Sequence, residues 1–138
     1  MSLLPRKGLL AIAAVVDVAL NAHERPVSAR KLAARQNLPA RHLEPVLQAL
    51  VHEGIFNGLR GPRGGYALAR ERKKISVADI LRAAGTVEDD NPKHGSRILD
   101  EVVQPAIAEA ERAFTAALAR LNLEDITRRA EPLRDRGG

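Results

Sequence analysis

A chain of 138 residues with 22 Lys/Arg, 17 Asp/Glu and a net charge of +5 suits one compact domain with an appended helix. It has no cysteine, which excludes disulfides, zinc–thiolate centres and cysteine-ligated clusters, and only three aromatic residues, Phe56, Tyr66 and Phe114, which argues against RNA recognition by stacking. The charge is divided: residues 1–75 carry 13 Lys/Arg against 5 Asp/Glu, a net of +8, and residues 76–138 carry 9 against 12, a net of −3. A basic front half with a mildly acidic back half suggests a polyanion-binding module followed by a part that does not touch the polyanion.

The first residues have no signal-peptide layout, and the apolar run Leu9 to Val16 is too short to span a bilayer before Asp17 interrupts it. A cytoplasmic protein without membrane contact is the expectation. Leu9, Ile12, Ala13, Val16, Ala19 and Leu20 recur at helical spacing and predict a first helix from about Pro5 to Ala22. Pro5 suits the first turn, where its missing N–H costs nothing. Ser28 then reads as the N-cap of a short helix, Ala29 to Gln36, with Leu32 and Ala33 inward. Asn37-Leu38-Pro39 makes a turn. A third helix, about Ala40 to His52, places Leu43, Val46, Leu47 and Leu50 on one face, and Gly54 suits its C-terminal stop.

Two short apolar runs, Ile55-Phe56 to Leu59 and Tyr66-Ala67-Leu68, flank Arg60-Gly61-Pro62-Arg63-Gly64-Gly65. Three glycines and a proline allow backbone angles that β-branched residues avoid, so this segment predicts a tight β-hairpin. Arginines at its base and tip, with little other side-chain bulk, suit a narrow groove lined by phosphates. Helix, turn, helix and basic hairpin follow the order of a winged helix-turn-helix, a DNA-reading module.

A charged loop, residues 69–74, follows the hairpin, and Ser76-Val77-Ala78-Asp79 resembles a capping box that opens a helix through Ala84, closed by Gly85. Residues 86–95 form a polar linker without apolar periodicity. Ser96 is expected to cap a long helix to about Leu121, with Pro105 kinking it or marking where its regular part begins. Val103, Ile107, Ala110, Phe114, Ala117 and Leu121 step by four and three, a heptad seam. Such a stripe packs on its own domain or across a two-fold axis in a homodimer. Asn122 to Asp125 cap a short turn around Ile126, and a frayed tail is expected at the end. The expected organisation is a DNA-binding domain over 1–85, a linker over 86–95, a dimerisation helix and short turn over 96–126, and a flexible tail over 127–138. The fold class is mainly α with a small β-hairpin wing.

Several segments in order resemble the Rrf2-type (IscR-, NsrR- and CymR-like) bacterial transcription regulators. They are Lys7-Gly8, Pro26-Val27-Ser28, Leu43-Glu44, Gly54-Ile55, the run Arg60 to Ala69, Ile75 to Ile80, and Leu123-Glu124-Asp125-Ile126, a likeness spanning about residues 3–126. The resemblance implies a homodimer with an N-terminal winged helix and a long C-terminal dimerisation helix, bound to a palindromic operator. Members that sense redox state or nitric oxide hold an iron–sulfur cluster with three cysteines between the wing-following helix and the long helix. Here that region, residues 86–95, has none, so the chain is similar to a cysteine-free branch without a cofactor. A second departure is Pro45, where the family keeps an amide-bearing residue. Proline removes one helix hydrogen bond and clashes with the carbonyl of Arg41, which predicts a recognition helix that begins later or bends.

The candidate DNA-binding residues are these. Arg6 and Lys7 stand at the start of the first helix as phosphate ligands, against the alternative of a solvated basic terminus. Ser28 and the free N–H groups behind it could hold a phosphate while capping the helix. Arg41 and His42 stand at the front of the recognition helix. Glu44 is costly near DNA unless it accepts a hydrogen bond, and cytosine N4 is the base donor that fits. Arg60 and Arg63, carried by Gly61, Pro62, Gly64, Gly65 and Tyr66, suit the negative potential of a narrow minor groove. His23, His42, His52 and His94 show no metal-ligand spacing.

The Gly-rich loop lacks the Lys-Ser/Thr ending of a P-loop and no nucleophile–base pair stands out, so no enzyme is expected. The competing readings are an RNA- or ribosome-associated basic protein and a dimeric adaptor that no longer binds DNA. By analogy the effector is a small molecule or a protein partner.

Overall fold

The computed structural model describes residues 4–23, 25–85 and 97–133. The order is α1 (Arg6–Asn21), α2 (Ala29–Gln36), α3 (Ala40–His52), β1 (Phe56–Leu59), β2 (Gly65–Leu68), α4 (Val77–Ala83), α5 (Gln104–Arg120) and α6 (Leu123–Ala130). This is a mainly helical chain with one antiparallel hairpin, as the pattern of residues predicts.

Local chemistry sets most of these boundaries. The Ser28 hydroxyl accepts from the Lys31 N–H at 3.1 Å, and Asn37 closes α2 in the left-handed region with φ 57°. Ser76 and Asp79 form a reciprocal capping box at the start of α4, each bond 3.0 Å. Asn122 caps α6 through its side-chain oxygen, which accepts from the Asp125 N–H at 3.0 Å. Helix α3 begins at Ala40 and runs through Pro45 to His52 without a break. Pro45 lies on its exposed face, and α3 is helical from Ala40 on, so the recognition helix does not begin later than expected.

The core gathers Val15 and Val18 of α1, Leu32 of α2, Leu43, Leu47 and Leu50 of α3, and Ile55, Phe56, Ile75 and Ile80. Each such side chain contributes roughly 1.5–3 kcal/mol through its removal from water. The buried side of α1 differs from the expected stripe. Ala11, Ala14, Val15 and Val18 are buried, Ile12, Ala13 and Val16 are half-buried, and Leu9 is 43% exposed. Helix α1 packs against α3, α4 and α6 at once, so several sides of it are covered and the small alanines sit at the close approaches. Asp17, also buried, is held by Arg35 of α2 through two bonds of 2.8 Å and by Asn21 at 3.2 Å. That fork-shaped pairing supplies the compensation a buried carboxylate requires.

The C-terminal part returns to this body. The Leu123 N–H donates to the Ile75 carbonyl and the Val77 N–H to the Leu121 carbonyl, both at 2.9 Å. Leu123 and Thr127 have no exposed surface, and the Thr127 hydroxyl donates to the Leu123 carbonyl at 2.7 Å. The short turn expected near Ile126 is therefore a full helix to Ala130, followed by a 3₁₀ turn at Glu131–Leu133. This helix packs against α1, which the local sequence does not reveal. Ahead of α5, Leu99–Val103 form a π-helical segment, and the regular helix begins at Gln104 with Pro105 in its first turn. Of the two expectations for Pro105, the second agrees with the helix assignment: the regular part begins at Gln104, directly after the π-helical segment, with proline as its second residue. The linker at 86–95, the capping Ser96, His94 and the end of the tail lie outside the described residues.

Candidate nucleic-acid interface

The wing is built by glycine. In the register Phe56↔Leu68 to Leu59↔Gly65, residues 60–64 close the hairpin, with the Gly64 N–H donating to the Gly61 carbonyl at 2.9 Å. A Cβ on Gly64 would lie 2.2 Å from the Leu59 carbonyl oxygen. Gly65 has φ 151°, and a Cβ there would lie 2.4 Å from the Val27 carbonyl oxygen. Neither position accepts a side chain without backbone movement.

The closeness at Gly65 has a purpose in the architecture. Val27 and Tyr66 exchange two backbone hydrogen bonds, 2.9 and 2.8 Å, so the residue before Ser28 acts as a third strand beside β2. The wing is thereby hydrogen-bonded to the residue that leads into the α2 cap. The Tyr66 ring is half-buried against Phe56, centroids 5.8 Å apart, and its hydroxyl lies 3.5 Å from the Gln48 amide nitrogen on α3. Helix, cap and wing enclose an open cleft of about 470 Å³, lined by Ser28, Gln48, Gly58, Arg60, Gly65 and Tyr66 among others.

Of the expected DNA-binding residues, Ser28, Arg60, Gly61, Gly64, Gly65 and Tyr66 meet in this cleft. Pro62 and Arg63 stand exposed at the tip of the hairpin. Arg41, His42 and Glu44 are exposed on α3, outside the cleft lining. Arg6 is exposed in the first turn of α1. The Lys7 ammonium reaches Gly85 at the C-terminal end of α4. Lys7 is exposed at that point.

One polar residue that sequence reasoning passed over belongs to this surface. Gln48 is exposed, lies one turn beyond Glu44 and lines the cleft. The usable signal was its i+4 spacing from Glu44, on the side of α3 opposite Leu43, Val46, Leu47 and Leu50.

The expected dimerisation residues are divided by the fold. Val103, Ile107, Ala110 and Ala117 are exposed, with Ile107 at 55%, whereas Phe114 and Leu121 are half-buried. Helix α5 lies against α4.

Among the described residues, no cluster of three or more His, Asp or Glu could hold a metal ion, and no helix is long and apolar enough to cross a membrane.

A family model described as Rrf2, iron-dependent transcriptional regulator, matches residues 4–129. The HTH-type transcriptional regulator IscR of Xenorhabdus nematophila is 30% identical over 137 residues, which cover 94% of this chain and 82% of that protein. Among solved structures, T. potens IscR superposes with a TM-score of 0.73 at 30% identity, covering 97% of this chain and 92% of the other. CymR, the global cysteine regulator of B. subtilis, superposes with a TM-score of 0.69 at 25% identity, covering 92% and 97%. The iron in the family description meets a chain without a single cysteine, so the residues present do not fit a thiolate-held cluster.

Proposed function

Since the chain belongs to the Rrf2 family of transcriptional regulators, which are not enzymes, we propose that it binds a palindromic operator as a homodimer and represses by occupying it, with no iron–sulfur cluster. The observation that carries this reading is the single piece formed by Ser28, Gly65 and Tyr66. The Val27–Tyr66 pairing fixes the α2 N-terminus to the wing, with Arg60 beside them in the cleft. Phosphates are met by Arg60, Arg63, Arg6 and the capped N-terminus of α2, while α3 presents Arg41, His42 and Glu44 to the major groove. The Gly61, Pro62 and Gly64 backbone keeps the wing thin enough to approach closely. Residues 1–85 do this binding, and the exposed stripe Val103, Ile107, Ala110 and Ala117, continued by Phe114 and Leu121, joins two copies. The signal is a small molecule or a protein partner rather than iron held by thiolates.

The test is a salt titration on duplex DNA combined with a randomised-operator library. Replacing Arg60 or Arg63 by Ala should weaken binding to every sequence and lower the salt slope by about one. Glu44→Ala should leave nonspecific binding intact and relax discrimination at one cytosine per half-site by roughly 1–3 kcal/mol. Half-sites should lie about 34 Å apart, or a multiple of that. Purified protein should be colourless and keep its operator affinity after chelator treatment. Equal binding of duplex DNA and RNA with no preferred sequence would refute the proposal.

A further inference from the structure

We infer that Gln48 is a second sequence-reading side chain, which selects an adenine about two base pairs from the cytosine read by Glu44; this rests on the operator-binding reading above. The argument starts from the faces of α3. Leu43, Val46, Leu47 and Leu50 are buried, and on the opposite side Arg41, Glu44, Pro45, Gln48 and His52 are exposed in one stripe. The body therefore dictates which side chains a groove would meet when α3 enters it. Within that stripe the chemistry is sparse. Pro45 carries no donor or acceptor in its ring and can offer a base only apolar contact. Glu44 accepts only. Gln48 is the one amide on the stripe, and a side-chain amide matches the paired N7 acceptor and N6 donor of adenine with two hydrogen bonds.

Position agrees with chemistry. At about 1.5 Å of rise per residue, four residues of helix advance about 6 Å, close to two base-pair steps of about 3.4 Å. Gln48 is also restrained on the side nearest the wing. Its Nε2 lies 3.5 Å from the Tyr66 hydroxyl, and Tyr66 is itself fixed by Phe56 and by the Val27 pairing. That contact is long and solvent-accessible, so it orients the amide without competing strongly for its donors. The amide oxygen has no protein donor demanding it among the hydrogen bonds of the cleft. A long, exposed bond of this kind is poorly suited to bracing the wing, which the backbone pairing at Val27 already holds.

The experiment is library selection and titration with wild type, Gln48→Ala, Gln48→Glu and Tyr66→Phe, alongside Glu44→Ala. In Gln48→Ala, one position per half-site, distinct from the Glu44 position, should lose its adenine preference by roughly five- to hundredfold, with nonspecific affinity unchanged. Gln48→Glu keeps the shape but replaces the donor by an acceptor, so the preference there should move from adenine to cytosine. Tyr66→Phe should blur the same position more weakly. If Gln48→Ala weakens all sequences equally and matches Tyr66→Phe, Gln48 only steadies the wing and the inference is overturned. A selective wild type whose preferences are untouched by Gln48→Ala overturns it as well, while leaving the Glu44 reading standing. Loss of selectivity in the wild type itself removes the operator-binding reading and this inference together.

Discussion

Val15, Leu32, Leu43, Leu47, Leu50 and Ile80 have no exposed surface, whereas none of the 17 residues of α5 is buried. Both regions draw on the same apolar alphabet, so composition does not separate them. In residues 4–85 the apolar positions of four helices and a hairpin converge on one another, and that body is stabilised by its own chain. In α5 only one side, through Phe114 and Leu118, leans on the body. Beside it, Val102, Val103 and Ile107 are between 42% and 60% exposed. Together, the π-helical turn and the start of α5 thus expose apolar surface that the body does not cover. The body is thus stabilised by its own burial, whereas DNA recognition by it and the covering of α5 by a second copy belong to the proposal above.

The difference can be broken at points of decreasing cost. Leu47→Ala, in the centre of the body, should destabilise by roughly 2–5 kcal/mol in chemical denaturation, independent of protein concentration. A loss below about 1 kcal/mol would mean the core is looser than its burial indicates. Gly65→Ala comes next. It forces a side chain into the Val27 backbone at a φ that L-residues avoid, so roughly 1–3 kcal/mol of stability should go. Operator affinity should fall further than stability does, because the wing and the α2 N-terminus share this contact. Unchanged denaturation with unchanged DNA binding would show that the wing is not fastened there.

Ser76→Ala should cost about 1 kcal/mol by removing the cap of α4. Its partner Asp79 adds a pH dependence. Burial pushes the Asp79 carboxyl up, but the bonds from the Ser76 backbone, the Arg82 guanidinium and the Ser76 hydroxyl, with the charge of Arg70, outweigh it and hold the carboxyl below its ordinary value. A depressed carboxylate stabilises the fold above its unfolded pKa, about 3.9, and that contribution is lost as pH falls through the lower folded value. Asp79→Asn should flatten the acid limb of the stability profile below about pH 4; an unaltered limb would assign it to other carboxylates. The smallest effect on the body is expected from Ile107→Glu. Dilute protein should keep its folded-body stability within about 0.5 kcal/mol, since the side chain is exposed in one copy. Light scattering should nevertheless report half the wild-type mass, and an unchanged dimer mass would place the pairing surface elsewhere.

Much of the architecture was legible because its causes are local. Ser28, the Ser76–Asp79 box and Asn122 act on groups three residues away, and their helices begin where those residues predict. The hairpin was equally plain, since the glycine at 64 answers to its own turn, although Gly65 also answers to Val27. What misled was what depended on distant neighbours. Leu9 fits the apolar period of α1 yet points outward, because α3, α4 and α6 decide which sides of that helix are covered. Pro45 suggested a recognition helix that starts late or bends, yet α3 is helical from Ala40 through Pro45 to His52.

By itself, then, the sequence determined the order and caps of the helices, the thin basic wing and the absence of any thiolate ligand, all properties of short stretches of chain. Only the tertiary structure decided that Lys7 comes close to Gly85 at the end of α4, that α6 runs on to Ala130 against α1, and that Gln48 meets Tyr66 beside the wing. Those contacts join residues 18 or more positions apart, and their energy comes from the burial and pairing of groups that no local period or cap can bring together.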